Sequence, residues 1–289
     1  MILTRQKVVI FNPEDHTYFN TNTNKFMKSV SGVKKLLVEP FDKKPISGYM
    51  AMSQAKQLGL TRQSDIDRIQ LEILAGWDMI SKIANDRGTH IHKIIEECSP
   101  YAKESEATIR QQVSKHCKGE NFEEAIVCII LFLRRYFECL SEVIVYSEKY
   151  NVAGTMDNPG IRQNTKTGLI DIDDWKTNEV TYDSITCKND IVKHYNKFLL
   201  PPFDYLEHSK YIEFVFQLSI YGVLTEETYN RKIGRLTIHN IDHAGNYRMI
   251  PIPYMRDAAI KLLEKNKNLK ELPVLSSASG SAIKDDDGW

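Results

Sequence analysis

The chain has 289 residues, 42% of them hydrophobic, and its 38 lysines and arginines balance 38 aspartates and glutamates. That length and composition fit one elaborated domain with a full core better than two independent domains. Zero net charge argues against tight, non-specific nucleic-acid binding, yet leaves room for a local basic channel.

The opening stretch predicts a hairpin from Lys7 to Val30, followed by helices through about Leu140. Ser64, Asp65 and Asp67 form a capping signal for a helix running past Ile80, with Trp77 on its apolar side, and this helical segment reads as a lid or arch. Residues 87–97 are helical in pattern, with an apolar stripe of Ile91, Ile94 and Ile95. His90 and His92 lie two apart, about 200° around the helix, so at most one of them faces any shared site. A single helical histidine is more often structural than a ligand. The run from Ala125 to Leu133 is too short to span a bilayer and ends in Arg134 and Arg135. Neither a signal peptide nor a membrane partner is expected, and the location implied is cytoplasmic.

A central sheet is predicted over Val143 to Asn178, with later strands at Arg235 to Ile241 and Tyr247 to Ile252. A last helix runs from Met255 to about Leu269. Between them, Tyr211 to Leu224 is apolar on nearly every side, as in a helix packed inside a domain. Gln217 and Tyr221 interrupt it, four apart on one face. Such a pair either satisfies itself in the core or bonds a phosphate or a nearby lysine. Residues 183–209 interleave Lys188, Lys193, His194, Tyr195 and Lys197, then Pro201 and Pro202. This is either an irregular surface insertion or a loop that stacks on and contacts a single strand. Residues 276–289 are expected from their composition to be a flexible acidic tail.

The densest chemistry lies in the centre. Val152-Ala-Gly-Thr-Met-Asp157 and Gly168-Leu-Ile-Asp-Ile-Asp-Asp174-Trp175-Lys176 read as neighbouring strands that bring Asp157, Asp174 and Lys176 together. On a strand, Asp174 and Lys176 share a face, so a carboxylate can hold a cation while the ammonium orients a water. Carboxylate oxygens suit hard ions such as Mg²⁺, which keep positions open for water and phosphate. Glu148, just before the first segment, is a candidate third acid. The bland alternative is a charged, solvated hairpin. Paired basic residues, Lys34 with Lys35, Lys43 with Lys44, Arg134 with Arg135 and Arg231 with Lys232, are either phosphate contacts or solvated faces.

In order and rough spacing, His92, Glu148, Asp157, Asp174, Trp175, Lys176, Gln217 and Tyr221 resemble the motifs of the PD-(D/E)xK nuclease superfamily. The likeness is to its RecB-type exonuclease branch, and the opening hairpin resembles that of phage-encoded and mitochondrial genome-maintenance members. Gly88-Thr-His-Ile-His92 matches that branch's helix motif and selects His92 over His90. Trp175 stands where the family usually has tyrosine, at a position that contributes its backbone carbonyl.

The resemblance implies an α/β fold: a restriction-endonuclease-like core with a central mixed β-sheet flanked by helices, plus an N-terminal hairpin and a helical region. The implied division is a single domain over 1–275, with a helical elaboration at about 31–140 and a catalytic core at about 143–265. It implies Mg²⁺- or Mn²⁺-dependent DNA hydrolysis, two ions being held by His92, Glu148, Asp157, Asp174 and the Trp175 carbonyl. Lys176 would position water, steadied by Gln217 and Tyr221. The expected activity is a DNA exonuclease of phage or mobile-element type, in recombination, replication or end processing. An endonuclease or flap nuclease on the same fold, or an inactive nucleic-acid-binding module, is the alternative. DNA, single-stranded or as duplex ends, is the implied partner, and a single-strand-binding or annealing protein is a further candidate. Cys98, Cys117, Cys128, Cys139 and Cys187 are far apart and read as reduced thiols. Some RecB-type relatives hold an iron–sulfur cluster through three closely spaced late cysteines, which this chain lacks after Cys187, so no cluster is expected.

Overall fold

The computed structural model describes residues 7–162, 168–177 and 194–271. Within them the chain is mixed α/β, with helices flanking two five-stranded sheets.

The first sheet has the order β1 (Val9–Asn12), β2 (Thr17–Asn20), β3 (Lys25–Ser29), β6 (Val152–Met156), β5 (Val143–Ser147). The expected N-terminal hairpin is thus a three-strand meander, and its last strand runs parallel to β6. The second sheet has the order β12 (Tyr247–Ile252), β11 (Ile233–Ile241), β8 (Ile170–Lys176), β7 (Asn158–Arg162), β4 (Tyr136–Cys139). Strands β6 and β7 are consecutive in the chain, so the path passes from one sheet to the other at Asp157. The single sheet expected over Val143 to Asn178 is therefore divided between two, and the helical stretch expected to reach Leu140 gives way to β4. A small hairpin, β9 (His194–Phe198) and β10 (Glu207–Ser209), occupies the end of the region read as irregular. Residues 178–193, with Lys188 and Lys193, lie outside the described residues, as do the side chains of His194 and Tyr195 and the whole tail 276–289.

β8 breaks strict alternation because both of its faces are covered, Ile170 and Ile172 lying in one core and Trp175 in another. Its polar residues are accounted for one by one. The Arg235 N–H donates to Asp171 Oδ1 at 2.8 Å. Asp173 accepts from the Tyr136 hydroxyl at 2.5 Å and lies 3.0 Å from His239 Nε2. Asp174 and Lys176 point to the opposite face, as a period of two requires.

The helices are α1 (Val30–Lys34), α2 (Lys43–Gln57), α3 (Gln63–Cys98), α4 (Glu106–Cys117), α5 (Glu123–Leu133), α6 (Lys210–Tyr229) and α7 (Arg256–Glu271). The two helical patterns read around Ser64 and around Arg87 are one helix, α3, of 36 residues. Its first half packs on α2 through Ala51, Ala55 and Ile69, and its second half joins α4, α5, Trp175 and Ile241 in a separate core. Helix α6 starts where the Ser209 side chain caps the Ile212 N–H, and it ends at Asn230, whose φ of 51° is left-handed. Between those ends it is buried almost all round, filling the largest core beneath β5, β6 and β8. Among the described residues no helix is long and apolar enough to cross a membrane.

Candidate metal centre

Strand register assembles the acids. Antiparallel pairing of β7 with β8 sets Asn158 against Asp173, which brings Asp157 next to Asp174. The Trp175 N–H donates to Asp157 Oδ2 at 2.6 Å, fixing that carboxylate where the two sheets part.

His92 reaches the same place from α3. Its Nε2 lies 3.2 Å from the Trp175 carbonyl oxygen and its Nδ1 lies 3.7 Å from Asp157 Oδ2. Two neighbours dock that turn of helix. Gly88 lies so near β8 that a Cβ there would stand 3.3 Å from Thr177 Oγ1. The Arg87 guanidinium donates to the Thr177, Ile241 and Asp242 carbonyls at 3.3, 3.4 and 2.6 Å. His90 is exposed and stands edge-on to the Phe122 ring, 6.0 Å between centres, away from the acids.

The third carboxylate is Glu142, not Glu148. Ligand atoms of His92, Glu142 and Asp157 all lie within 4.8 Å of one another. Glu142 precedes β5 in a left-handed conformation, φ 52°, and its N–H donates to the Asp157 carbonyl at 3.0 Å. Glu148 follows the other end of β5, across the length of the β5–β6 ladder, where it accepts from Asn20 Nδ2 at 3.1 Å. The correction is one of register. The hairpin folds back between Ser147 and Val152, so the partner of the Asp157 end is the residue before Val143.

Asp174 is buried, and Lys176 Nζ stands 2.6 Å from its Oδ2 as an ion pair. Burial raises the Asp174 carboxyl above the usual aspartate range. Lys176 opposes that, Asp157 adds to it, and His92 opposes it more weakly. Lys176 Nζ also lies 5.8 Å from the Phe214 ring centre.

Gln217 and Tyr221 share one face of α6 and bond each other. Burial pushes the Tyr221 phenol well up, with Tyr18, Asp174 and Asp157 adding to the effect, which places it beside the acids. Gly154 makes that approach possible, since a Cβ there would stand 2.7 Å from both Tyr221 Cε1 and Val30 Cγ2. Gln217 Oε1 accepts from Lys34 Nζ at 3.4 Å, a residue the sequence offers only as a member of one of four basic pairs.

The donor set is three carboxylates, an imidazole and a backbone carbonyl, next to one amine. Oxygen-rich sets of this kind fit Mg²⁺ or Mn²⁺ better than thiophilic ions. Cys98, Cys117, Cys128 and Cys139 are free thiols, and Cys187 lies outside the described residues.

Fold and site together define a mixed α/β chain with a candidate divalent-metal centre where its sheets part. No protein-family profile and no curated protein sequence matches the chain. Among solved structures, a protein of Eubacterium rectale provisionally named an exonuclease is similar over 90% of this chain and 88% of its own, at 14% identity and a TM-score of 0.37. Another, known by a locus designation alone, is similar over 68% of this chain and 87% of its own, at 16% identity and a TM-score of 0.25. Superpositions this loose carry no functional argument, which rests on the site itself.

Proposed function

We propose that this protein is a Mg²⁺- or Mn²⁺-dependent deoxyribonuclease of the PD-(D/E)xK superfamily, acting as a RecB-type exonuclease. The observation that carries the reading is the convergence of His92, Glu142, Asp157 and Asp174 beside the Lys176 amine.

Glu142, Asp157, Asp174, His92 and the Trp175 carbonyl would hold the metal. When bound, it supplies positive charge to the phosphate and acidifies a coordinated water. The acids hold the site in place. Asp157 is fixed by the Trp175 N–H, and Asp174 holds the Lys176 amine within 2.6 Å. Lys176 donates to the incoming water or to a non-bridging phosphate oxygen, which orients attack and offsets growing negative charge. Water adds to phosphorus and the opposite P–O bond breaks. The proton that the water loses is matched by the one the leaving oxygen gains, so the products are a phosphomonoester and an alcohol. Tyr221 and Gln217 line the α6 side of this space, where a phenol and an amide can donate to phosphate oxygens.

Digestion of end-labelled DNA tests the proposal. Wild-type protein should release label with Mg²⁺ or Mn²⁺ and lose that activity in EDTA. Asp174→Ala and Lys176→Ala proteins that melt cooperatively should be inactive. Cleavage surviving both substitutions would overturn the site. Covalently closed circles should stay intact, and their linearisation would replace the exonuclease assignment with an endonuclease.

A further inference from the structure

The back of β8 carries a polar cluster that the proposed chemistry does not touch. Period two along the strand sends Asp173 and Trp175 to one face and Asp174 and Lys176 to the other. Asp173 and Trp175 are thus the chain neighbours of Asp174 on either side, and both are buried behind it. The parallel register of β11 with β8 sets His239 beside Trp175. From there the imidazole reaches both neighbours. Its Nε2 lies 3.0 Å from Asp173 Oδ1, and its ring stands edge-on to that of Trp175 with 4.9 Å between centres. Other groups hold His239 in turn. Its Nδ1 lies 2.8 Å from the Tyr247 hydroxyl, and the Phe132 ring packs edge-on against it at 4.4 Å. The second oxygen of Asp173 accepts from the Tyr136 hydroxyl.

His239 and Asp173 are both at 0% exposure. Polar pairs this deep stabilise a fold weakly at best, because desolvation offsets most of their attraction and an apolar pair of similar volume does as well. What a fully hydrogen-bonded pair supplies is direction, since it permits one arrangement where apolar side chains permit several. Direction matters here because of what the same stretch of β8 presents on its front. Asp174 offers its carboxylate, the Trp175 carbonyl oxygen lies 3.2 Å from His92 Nε2, and the Trp175 N–H holds Asp157 at 2.6 Å. A rotation of β8 about its own axis would move all of these together. His239 resists that rotation at two points, one on each side of Asp174.

We propose that His239 is a positioning residue for the candidate metal centre, holding Asp173 and Trp175 so that the Asp174 carboxylate and the Trp175 main chain keep fixed directions. The inference rests on the metal-centre reading and not on which bond the protein cleaves.

Calorimetric titration of Mn²⁺ into the full chain tests it. His239→Phe keeps a ring against Trp175 and Phe132 and removes the bond to Asp173, so Mn²⁺ affinity should fall about tenfold, the lower end for groups that orient a ligand. Asp173→Asn should show a similar loss, and decides the matter alone should His239→Phe fail to fold. A purely structural role predicts a lower melting temperature with the affinity of the folded protein unchanged. Leu262→Ala, on α7 in the largest core, supplies that comparison: it should melt earlier and bind Mn²⁺ as wild type does. The double variant His239→Phe/Asp173→Asn should bind no more weakly than either single one, because both remove the same bond, whereas independent effects would multiply to about 100-fold. Unchanged affinity in the folded single variants, or losses that multiply in the double one, overturns the inference. Wild-type protein that binds Mn²⁺ but cuts no DNA leaves the inference standing and ends the nuclease reading. Wild-type protein that binds no Mn²⁺ ends both.

Discussion

Glu142 and Glu148 occupy opposite ends of β5, and only Glu142 shares space with Asp157 and His92. Their substitutions should therefore diverge. Glu142→Gln keeps the size and the backbone bond to Asp157 but removes a ligand charge. It should cut the initial rate of metal-dependent cleavage by about 100-fold or more, the scale set by losing one preorganised charge-stabilising group. Glu148→Gln keeps an acceptor for Asn20 and removes a charge only at the far end of β5, and should cleave at close to the wild-type rate. Equal losses in the two proteins would return Glu148 to the site. Register could have chosen between them from the sequence. Counting back from the turn between Ser147 and Val152 sets Val143 against Met156, and the next step out pairs the Glu142 and Asp157 ends. Proximity along the chain favours Glu148, but the site is built across the ladder. Asp157, Asp174 and Lys176 were legible because strand period alone sets two of them on one face and a neighbouring strand supplies the third.

The elements were legible where their pattern is local. The strand Tyr247–Ile252 falls where alternation puts it, and α6 and α7 lie close to their expected spans. The division into two sheets was not legible, because it depends on pairing between β3 and β6 and between β8 and β11, far apart in sequence. Nor was the role of Arg87, since a guanidinium gripping three carbonyls leaves no trace in periodicity. That grip sets how α3 lies against the ends of β8 and β11, and His92 follows a little over one turn later. Arg87→Met keeps an unbranched apolar side chain but removes all three bonds and the guanidinium that stands over the Phe122 ring. His92 should then sit less well over the Trp175 carbonyl, and divalent-ion affinity by calorimetry should fall about 10- to 100-fold, as for other groups that orient a ligand. Helical content should be retained. An unchanged affinity would mean that the buried Ile91, Ile94 and Ile95 fix the register of α3 by themselves.

At the scale of the whole molecule, the candidate site draws on α3, the start of β5, the junction of β6 with β7, and β8, so a bound ion would tie both sheets to the long helix. Without an ion these elements bring like charges together. Burial, reinforced by Asp157, raises the Asp174 carboxyl against the pull of Lys176 and His92. A native pKa above the unfolded value of about 3.9 means that the folded protein holds that proton more tightly. The resulting stability is fully present below the unfolded pKa and is lost as pH rises through the raised native one. In the ion-free protein an ionised Asp174 therefore comes at a cost, and two outcomes follow. Mg²⁺ or Mn²⁺ at about 100 times its dissociation constant should add about 2.7 kcal/mol, a rise of roughly 5–10 °C in melting temperature for a domain of this size. Asp174→Asn, which mimics the protonated acid, should melt above the ion-free wild type at neutral pH. That advantage should shrink as pH falls through the raised native pKa, where the folded wild-type carboxyl takes up its own proton, and be smallest below about 3.9. The same substitution should abolish the ion-induced rise, so the variant gains stability and loses activity together, as expected where a fold bears strain for chemistry. A wild type that already melts above Asp174→Asn without metal, or a variant that keeps the full ion-induced rise, would show that Lys176 alone settles the charge of Asp174 and that the cation binds elsewhere.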